Sequence, residues 1–250
     1  MQGKIFLRKT SLVDYAGYVS SVIFFPGCNL RCPWCHNRDL VLGKNSETYI
    51  TVDEGLVHIN KRHSVLGGVV LSGGEPCLWE GLPFLIKKIK DLSLKVKLDT
   101  NGMLPDMLER LFSREETRPD YIALDLKLAP ERYAELLPEH SRLNAAIASF
   151  DPGEALTQSA ALISRSGISH EYRTLALPAV HKQGKYISES DIEALAALTD
   201  DAPWYFRPFR SGTCLNPVWD SLEETAGEAH RRAEILANRA KELGKTGLCR

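Results

Sequence analysis

No run of about 18 apolar residues occurs anywhere in the 250-residue chain, so the sequence offers no helix that could span a bilayer. Excess charge is missing too: 31 Lys and Arg against 32 Asp and Glu leave a net charge of -1, which gives no broad pull toward nucleic acid or an anionic membrane. Met1-Gln2-Gly3-Lys4-Ile5-Phe6-Leu7-Arg8-Lys9 runs into Thr10, Ser11 and Asp14 before an apolar h-region develops, so no secretion signal is read. Internal repeats, low-complexity tracts and Gly/Ser linkers are lacking, and Pro and Gly fall mostly at expected turns. The expectation is a soluble cytoplasmic protein whose six cysteines are kept reduced. With 44% hydrophobic residues the chain can bury a substantial core, and one domain over 1–250 is the default.

Against these absences stands one concentration. Three of the six cysteines lie within eight residues, Cys28-Asn29-Leu30-Arg31-Cys32-Pro33-Trp34-Cys35, a C-x3-C-x2-C spacing with no fourth cysteine nearby. One short loop of this kind can hold three irons of a cubane cluster through thiolates and leave the fourth iron open to a substrate or cofactor. Three other readings compete. Cys32-Pro33-Trp34-Cys35-His36 matches a c-type haem attachment pattern, which requires export; Trp34-Cys35 is faintly like a redox dithiol; and zinc lacks a fourth ligand, His36 being awkward beside Cys35. Cys77, Cys214 and Cys249 are scattered singly and read as ordinary small residues, with no role assigned to them.

The remaining pattern alternates strands and helices. Strands are expected at Val19 to Phe25, Gly68 to Leu71, Leu94 to Leu98, Tyr121 to Leu126, Ser169 to Leu177 and Trp204 to Phe209. Helices are expected at Val52 to His63, Leu82 to Leu92, Met103 to Phe112, Pro130 to Leu137, Gly153 to Ser166 and Ser190 to Leu198, with a polar tail helix from Ser221 to Leu243. Such alternation predicts an α/β fold with a parallel sheet and right-handed crossovers, whose ligands gather at the carboxyl ends of the strands. The cysteine loop, Ser72-Gly73-Gly74-Glu75-Pro76, Asp99-Thr100 and Asp125-Leu126-Lys127 all fall at that edge. Adjacent glycines let backbone come close to a ligand and offer polar groups to an ammonium, although most Gly-Gly turns after a strand are only turns.

Taken together, these segments resemble the radical S-adenosylmethionine enzymes. Gly27 to Asp39, with Cys35-His36-Asn37 as the telling extension, resembles the cluster loop of glycyl-radical-enzyme activases such as pyruvate formate-lyase activating enzyme. Ser11-Leu12-Val13-Asp14-Tyr15-Ala16-Gly17 is similar to the opening of the anaerobic ribonucleoside-triphosphate reductase activating branch, where a proline commonly stands in place of Ala16. The resemblance runs to Gly212 and implies a partial (β/α)6 TIM-like barrel of parallel strands, core about 17–212, followed by a helical tail over about 220–243. It implies a [4Fe-4S] cluster on Cys28, Cys32 and Cys35, with S-adenosylmethionine on the open iron. It also implies reductive cleavage of that cofactor to a 5′-deoxyadenosyl radical, which takes hydrogen from a glycine of a partner enzyme.

Residue by residue, the resemblance places Trp34 and His36 beside the adenine, Gly73, Gly74 and Glu75 at the methionine part, and Asp125 and Lys127 between cofactor and the incoming glycine loop. It makes Asp99, Thr100 and Asp125 candidates for a monovalent cation site. Strand-end acids such as Asp99 and Asp125 can equally cap the next helix. Arg173 fits either a bidentate grip on the cofactor carboxylate or a structural ion pair. Pro208-Phe209-Arg210 departs from the Pro-Tyr-His of many activases, which leaves Arg210 where a histidine usually meets the cofactor. No Cys-rich module is inserted between Asp39 and Gly68, so the electron must come from an outside donor, flavodoxin or ferredoxin. The favoured partner is anaerobic ribonucleotide reductase. The alternatives are a radical enzyme acting on a small molecule or peptide, and a non-catalytic iron-sulfur carrier or sensor.

Overall fold

Ser20–Phe25 and Gly68–Gly73 bury both of their faces over most of their length, which is the expected burial of central strands covered by helices. The computed structural model describes residues 3–44, 46–139, 150–178 and 187–250, and the chain divides into two compact units. The first comprises Met1–Asn29, Asn37–Thr100 and Leu104–Ala123, and the second Leu30–His36, Asn101–Met103 and Leu124–Arg250.

The first unit contains β1 (Lys4–Ser11), β2 (Ser20–Phe25), α1 (Arg38–Val41), β3 (Ile50–Thr51), α2 (Val52–Lys61), β4 (Gly68–Gly73), α3 (Leu82–Lys90), β5 (Lys95–Thr100) and α4 (Pro105–Phe112), and takes the start of β6 (Tyr121–Asp125). Its strands follow the order β3-β1-β2-β4-β5-β6. Strands β2, β4 and β5 are parallel, with Phe25 opposite Gly73 and Leu71 opposite Leu98. Helix α2 starts where Thr51 and Glu54 satisfy each other's backbone N–H groups in a capping box, and it buries Val52, Gly55 and Ile59. Helices α3 and α4 carry a proline in the first turn, Pro83 and Pro105, where a missing N–H is no loss.

The second unit takes the end of β6 and adds α5 (Pro152–Arg165), β7 (Ser169–Ala176), α6 (Glu189–Ala196), β8 (Trp204–Pro208), α7 (Pro217–Asp220), α8 (Ala226–Glu242) and β9 (Gly247–Cys249), with strand order β6-β7-β8-β9. Strands β7, β8 and β9 run parallel. Asp151 caps α5, accepting from the N–H groups of Gly153 and Glu154, and Ser188 with Asp191 forms the capping box of α6. A stripe of Ala229, Ala233, Leu236, Ala237 and Ala240 seats α8. The approach is so close that a Cβ on Gly247 would lie 2.3 Å from the Ala237 carbonyl oxygen.

The six expected strands are β2, β4, β5, β6, β7 and β8, and the α/β class is the one observed. Three strands are additional. Strand β1 pairs antiparallel with β2 and leaves its lysines and arginine exposed, so its apolar alternation is weak; β3 has two residues and β9 three, too short to carry a period. The segment expected as an α-helix from Pro130 to Leu137 is a 3-10 turn over Pro130–Leu136. The expected tail helix is α8, which starts at Ala226 rather than Ser221 because Thr225 and Glu228 form its capping box, and the short α7 precedes it.

Candidate active site

In the first unit the cysteine loop leaves β2 directly against the glycines that end β4. Gly73 has φ +123°, a backbone region that favours glycine, and a Cβ on Gly74 would sit 1.7 Å from the Gly27 carbonyl oxygen. The two glycines are therefore required by backbone packing against Phe25 and Gly27, whatever else they contact. Gly74 N–H donates to Phe25 O at 2.8 Å and Glu75 N–H to Gly27 O at 3.0 Å. Asn37, two residues past the last cysteine of the loop, donates from Nδ2 to Gly73 O at 2.9 Å. That bond gives Cys-His-Asn a physical role that spacing alone does not supply.

Glu75 lies inside the first unit, only 1% exposed. Its Oε1 accepts from Cys77 N–H at 3.0 Å and from Thr100 Oγ1 at 2.9 Å, so Glu75, Cys77 and Thr100 form one buried set tying the end of β4 to the end of β5. Burial, with Glu75 next in effect, pushes the Cys77 thiol well above its ordinary pKa. Asp99 accepts from Ser72 Oγ at 3.1 Å and lies 3.6 Å from the ammonium of Lys97. Lys97, buried itself, donates to the Asp14 carbonyl at 2.9 Å and so links the Ser11-to-Gly17 segment to Asp99. Lys97 was not among the expected site residues, though the alternation in Lys97-Leu98-Asp99 puts both charges on one face of β5.

In the second unit the loop from Leu30 to His36 is held from two sides. Arg31 N–H donates to Leu136 O at 2.7 Å, and Asn216 N–H donates to Pro33 O at 2.9 Å. Aromatic rings carry the second connection: Trp34 meets Trp219 at a tilt with centroids 5.4 Å apart, Trp219 meets Phe209 edge-on at 5.5 Å, and Phe209 meets His36 edge-on at 6.2 Å. Trp34 and Trp219 are buried and His36 is exposed. The anchoring ring, Trp219, comes from the last forty residues, beyond the segments that carry the family resemblance. Cys214 is buried nearby, and burial followed by Asp220 pushes its thiol up to about 12.

Asp125-Leu126-Lys127 forms the charged centre of this unit. Asp125 bonds to Arg173 Nε at 2.9 Å and to Lys127 Nζ at 3.0 Å. Burial alone would raise the Asp125 pKa, but Arg173 and then Lys127 hold it well below the usual carboxylate range. Burial likewise opposes the charge on Lys127, and Asp125, followed by the Cys32 thiolate, outweighs it and raises that ammonium above its usual range. Tyr133, fully buried, clamps the turn: its hydroxyl accepts from Lys127 N–H at 2.8 Å and donates to Asp125 O at 3.3 Å. The 3-10 turn is what brings Tyr133 under these residues. Of the two roles open to Arg173, it makes the ion pair. Arg210 is exposed.

The donor set fits the implied cluster. Cys28, Cys32 and Cys35 form no disulfide, and soft thiolates suit iron. Among the described residues no three His, Cys, Asp or Glu side chains converge on one metal ion. A cubane does not need such convergence, since each thiolate binds its own iron. No helix among the described residues is long and apolar enough to cross a membrane.

Residues 22–180, which contain the cysteine loop, match the Radical SAM superfamily, and the chain belongs to it. It is accordingly an enzyme whose cofactors are a [4Fe-4S] cluster and S-adenosylmethionine. Among individual relatives, the chain is 30% identical over 200 residues to a Methanocaldococcus jannaschii protein named "Putative glycyl-radical enzyme activating enzyme", covering 78% of this chain and 74% of that one. It is 35% identical over 116 residues to the pyruvate formate-lyase-activating enzyme of Staphylococcus aureus, covering 42% and 45% of the two chains. A 7-carboxy-7-deazaguanine synthase of Methanopyrus kandleri is 28% identical over 144 residues, 50% and 56% of the two. Among solved structures, Streptococcus suis SuiB superposes with a TM-score of 0.59 at 15% identity, over 92% of this chain and 50% of that chain. A TYW1 structure with a lysine-pyruvate adduct gives 0.55 at 14%, over 89% and 73%. These likenesses bear on the fold, and they agree with a partial barrel of parallel strands.

Proposed function

We propose that this chain is a glycyl-radical-enzyme activase, with anaerobic ribonucleoside-triphosphate reductase as the favoured partner. The observation that carries the reading is the activase-like loop Gly27 to Asp39, supported by Asn37 on Gly73 and by the relatives named as activating enzymes. When bound, the cluster and S-adenosylmethionine supply a one-electron cleavage that yields methionine and a 5′-deoxyadenosyl radical able to take hydrogen from a glycine Cα.

In this reading Cys28, Cys32 and Cys35 hold the cluster as thiolates. Trp34 is fixed by Trp219, and with His36 it would border the adenine. Gly73 and Gly74 would present backbone to the methionine part. Asp125 and Lys127, both locked in their charged forms, would orient the cofactor and the entering glycine loop without exchanging protons. Asp99, Thr100 and Asp125 remain the proposed cation ligands, and Arg210 the group standing where other activases have histidine. Flavodoxin or ferredoxin would supply the electron.

A second reading, a radical enzyme acting on a small molecule, is favoured by the similarity to 7-carboxy-7-deazaguanine synthases. Anaerobic co-expression with the candidate reductase, followed by electron paramagnetic resonance, separates the two. A glycyl doublet on the partner that disappears with Cys32→Ala supports the activase. Cofactor cleavage without any partner radical supports the second reading.

A further inference from the structure

Strands β7 and β8 of the second unit have two unlike faces. Tyr172 and Thr174 on β7, with Trp204 and Phe206 on β8, are buried, and Trp204 Nε1 donates to Thr174 Oγ1 at 2.9 Å. The alternate residues, Arg173 and Leu175 beside Tyr205 and Arg207, point to the opposite face and are partly or fully open. Register pairs Arg173 with Tyr205 and Leu175 with Arg207, so Arg207 stands one step along the neighbouring strand from Arg173. Arg250 adds a third guanidinium, 5.2 Å above the Tyr205 ring, its backbone N–H bonded to Phe206 O at 3.0 Å.

The acids on this face do not account for these cations. Asp125 is already shared between Arg173 and Lys127. Glu171 is buried and within electrostatic reach of Arg207, but forms no ion pair with it. Arg207 thus has neither an ion pair nor a hydrogen bond among the described residues, while desolvation first and then Arg173 lower its basicity. Asp125 and Glu171 offset part of the repulsion from Arg173 and Arg250 without pairing to Arg207, and an anion at its open guanidinium would relieve the remainder.

We propose that Arg207, with Arg250 beside it, forms an oxyanion subsite for a carboxylate or phosphate group carried by the molecule that occupies this face, separate from the carboxylate of S-adenosylmethionine. A guanidinium fork is suited to either group, because both accept two parallel N–H bonds. The proposal does not depend on which partner or substrate the enzyme serves.

The test is a thermal-shift titration of the cluster-reconstituted protein with malonate and with inorganic phosphate, at ionic strength held constant with chloride, using wild type, Arg207→Gln and Arg207→Lys. Arg207 is exposed, so without anion Arg207→Lys is expected to unfold at the wild-type temperature and Arg207→Gln at or slightly above it, having lost the repulsion from Arg173 and Arg250. Wild type should gain stability from at least one anion, Arg207→Gln should bind it about tenfold or more weakly, and Arg207→Lys should fall between. A peptide containing one Asp, compared with its Asn counterpart, tells a peptide source from a free small anion. Equal titrations for wild type and Arg207→Gln overturn the proposal, as does a wild-type shift that chloride reproduces. Competition by S-adenosylmethionine overturns it too, since the subsite would then be the cofactor's own.

Discussion

Replacing Asp125 with Asn leaves Arg173 and Lys127 facing each other without the carboxylate that joins them at 2.9 and 3.0 Å. The side chains of Asp125, Lys127 and Arg173 are 32%, 20% and 11% exposed, between a solvated surface pair and a dry one. Surface pairs contribute about 0.2–1 kcal/mol, whereas removing one partner from a buried pair costs about 3–5 kcal/mol. A loss of about 2 kcal/mol follows for Asp125→Asn, or about 4–8 °C in unfolding temperature for a chain of this size. Circular dichroism of anaerobically prepared protein reads this directly. The pairing also predicts non-additivity: Arg173→Gln should be costly alone and much less so in Asp125→Asn, with a coupling of at least about 0.5 kcal/mol. Additive single effects, or an Asp125→Asn variant as stable as wild type, would refute the ion-pair account of this centre.

Gly74→Ala should lower both the unfolding temperature and the iron bound per chain after reconstitution, because its Cβ would collide with the Gly27 backbone; Gly227→Ala, in open space near the start of α8, should raise stability by up to about 0.5 kcal/mol. Trp219→Ala should cost about 3–5 kcal/mol and shift the tryptophan fluorescence, since Trp219 holds Trp34 and Phe209; an unchanged spectrum would argue against that ring contact. Acidification should not remove the Asp125 contribution near the ordinary carboxylate pKa. A depressed folded pKa gives stability that is fully present above the unfolded pKa and is lost progressively as pH falls from there through the folded one, so acid unfolding between pH 5 and about 4 should differ only slightly between wild type and Asp125→Asn and diverge below that. Cys214 has the opposite sign. Its folded pKa of about 12 exceeds the unfolded thiol value, so stability falls as pH rises above about 8.5, and Cys214→Ala should flatten alkaline unfolding by up to about 1.4 kcal/mol per pH unit.

The parts legible in the sequence were those whose meaning is local. Cys28, Cys32 and Cys35 announce themselves by spacing, and β2, β4 to β8 and most helices by apolar period, with boundaries displaced by a few residues. What escaped were relations between distant segments. Trp219 meets Trp34 across 185 positions, and Asn37 reaches Gly73 across 36, neither of which any window of sequence can display. Gly73 and Gly74 were legible as glycines, but the partners that require them, Phe25 and Gly27, were not. Strand β1 was missed because its exposed charges mask its alternation, and Pro130–Leu136 because a 3-10 turn carries much the same apolar spacing as a short α-helix.

The central claim is that three thiolates of one loop hold the cluster that cleaves S-adenosylmethionine. The most direct test is anaerobic reconstitution with iron and sulfide, dithionite reduction, and chromatography of 5′-deoxyadenosine, comparing wild type with Cys28→Ala, Cys32→Ala, Cys35→Ala and, as a control, Cys77→Ala. The account predicts cluster-dependent 5′-deoxyadenosine from wild type and Cys77→Ala and none from the three loop variants. A loop variant that still cleaves the cofactor, or a reduced wild-type cluster that leaves it intact with and without a partner protein, would contradict it.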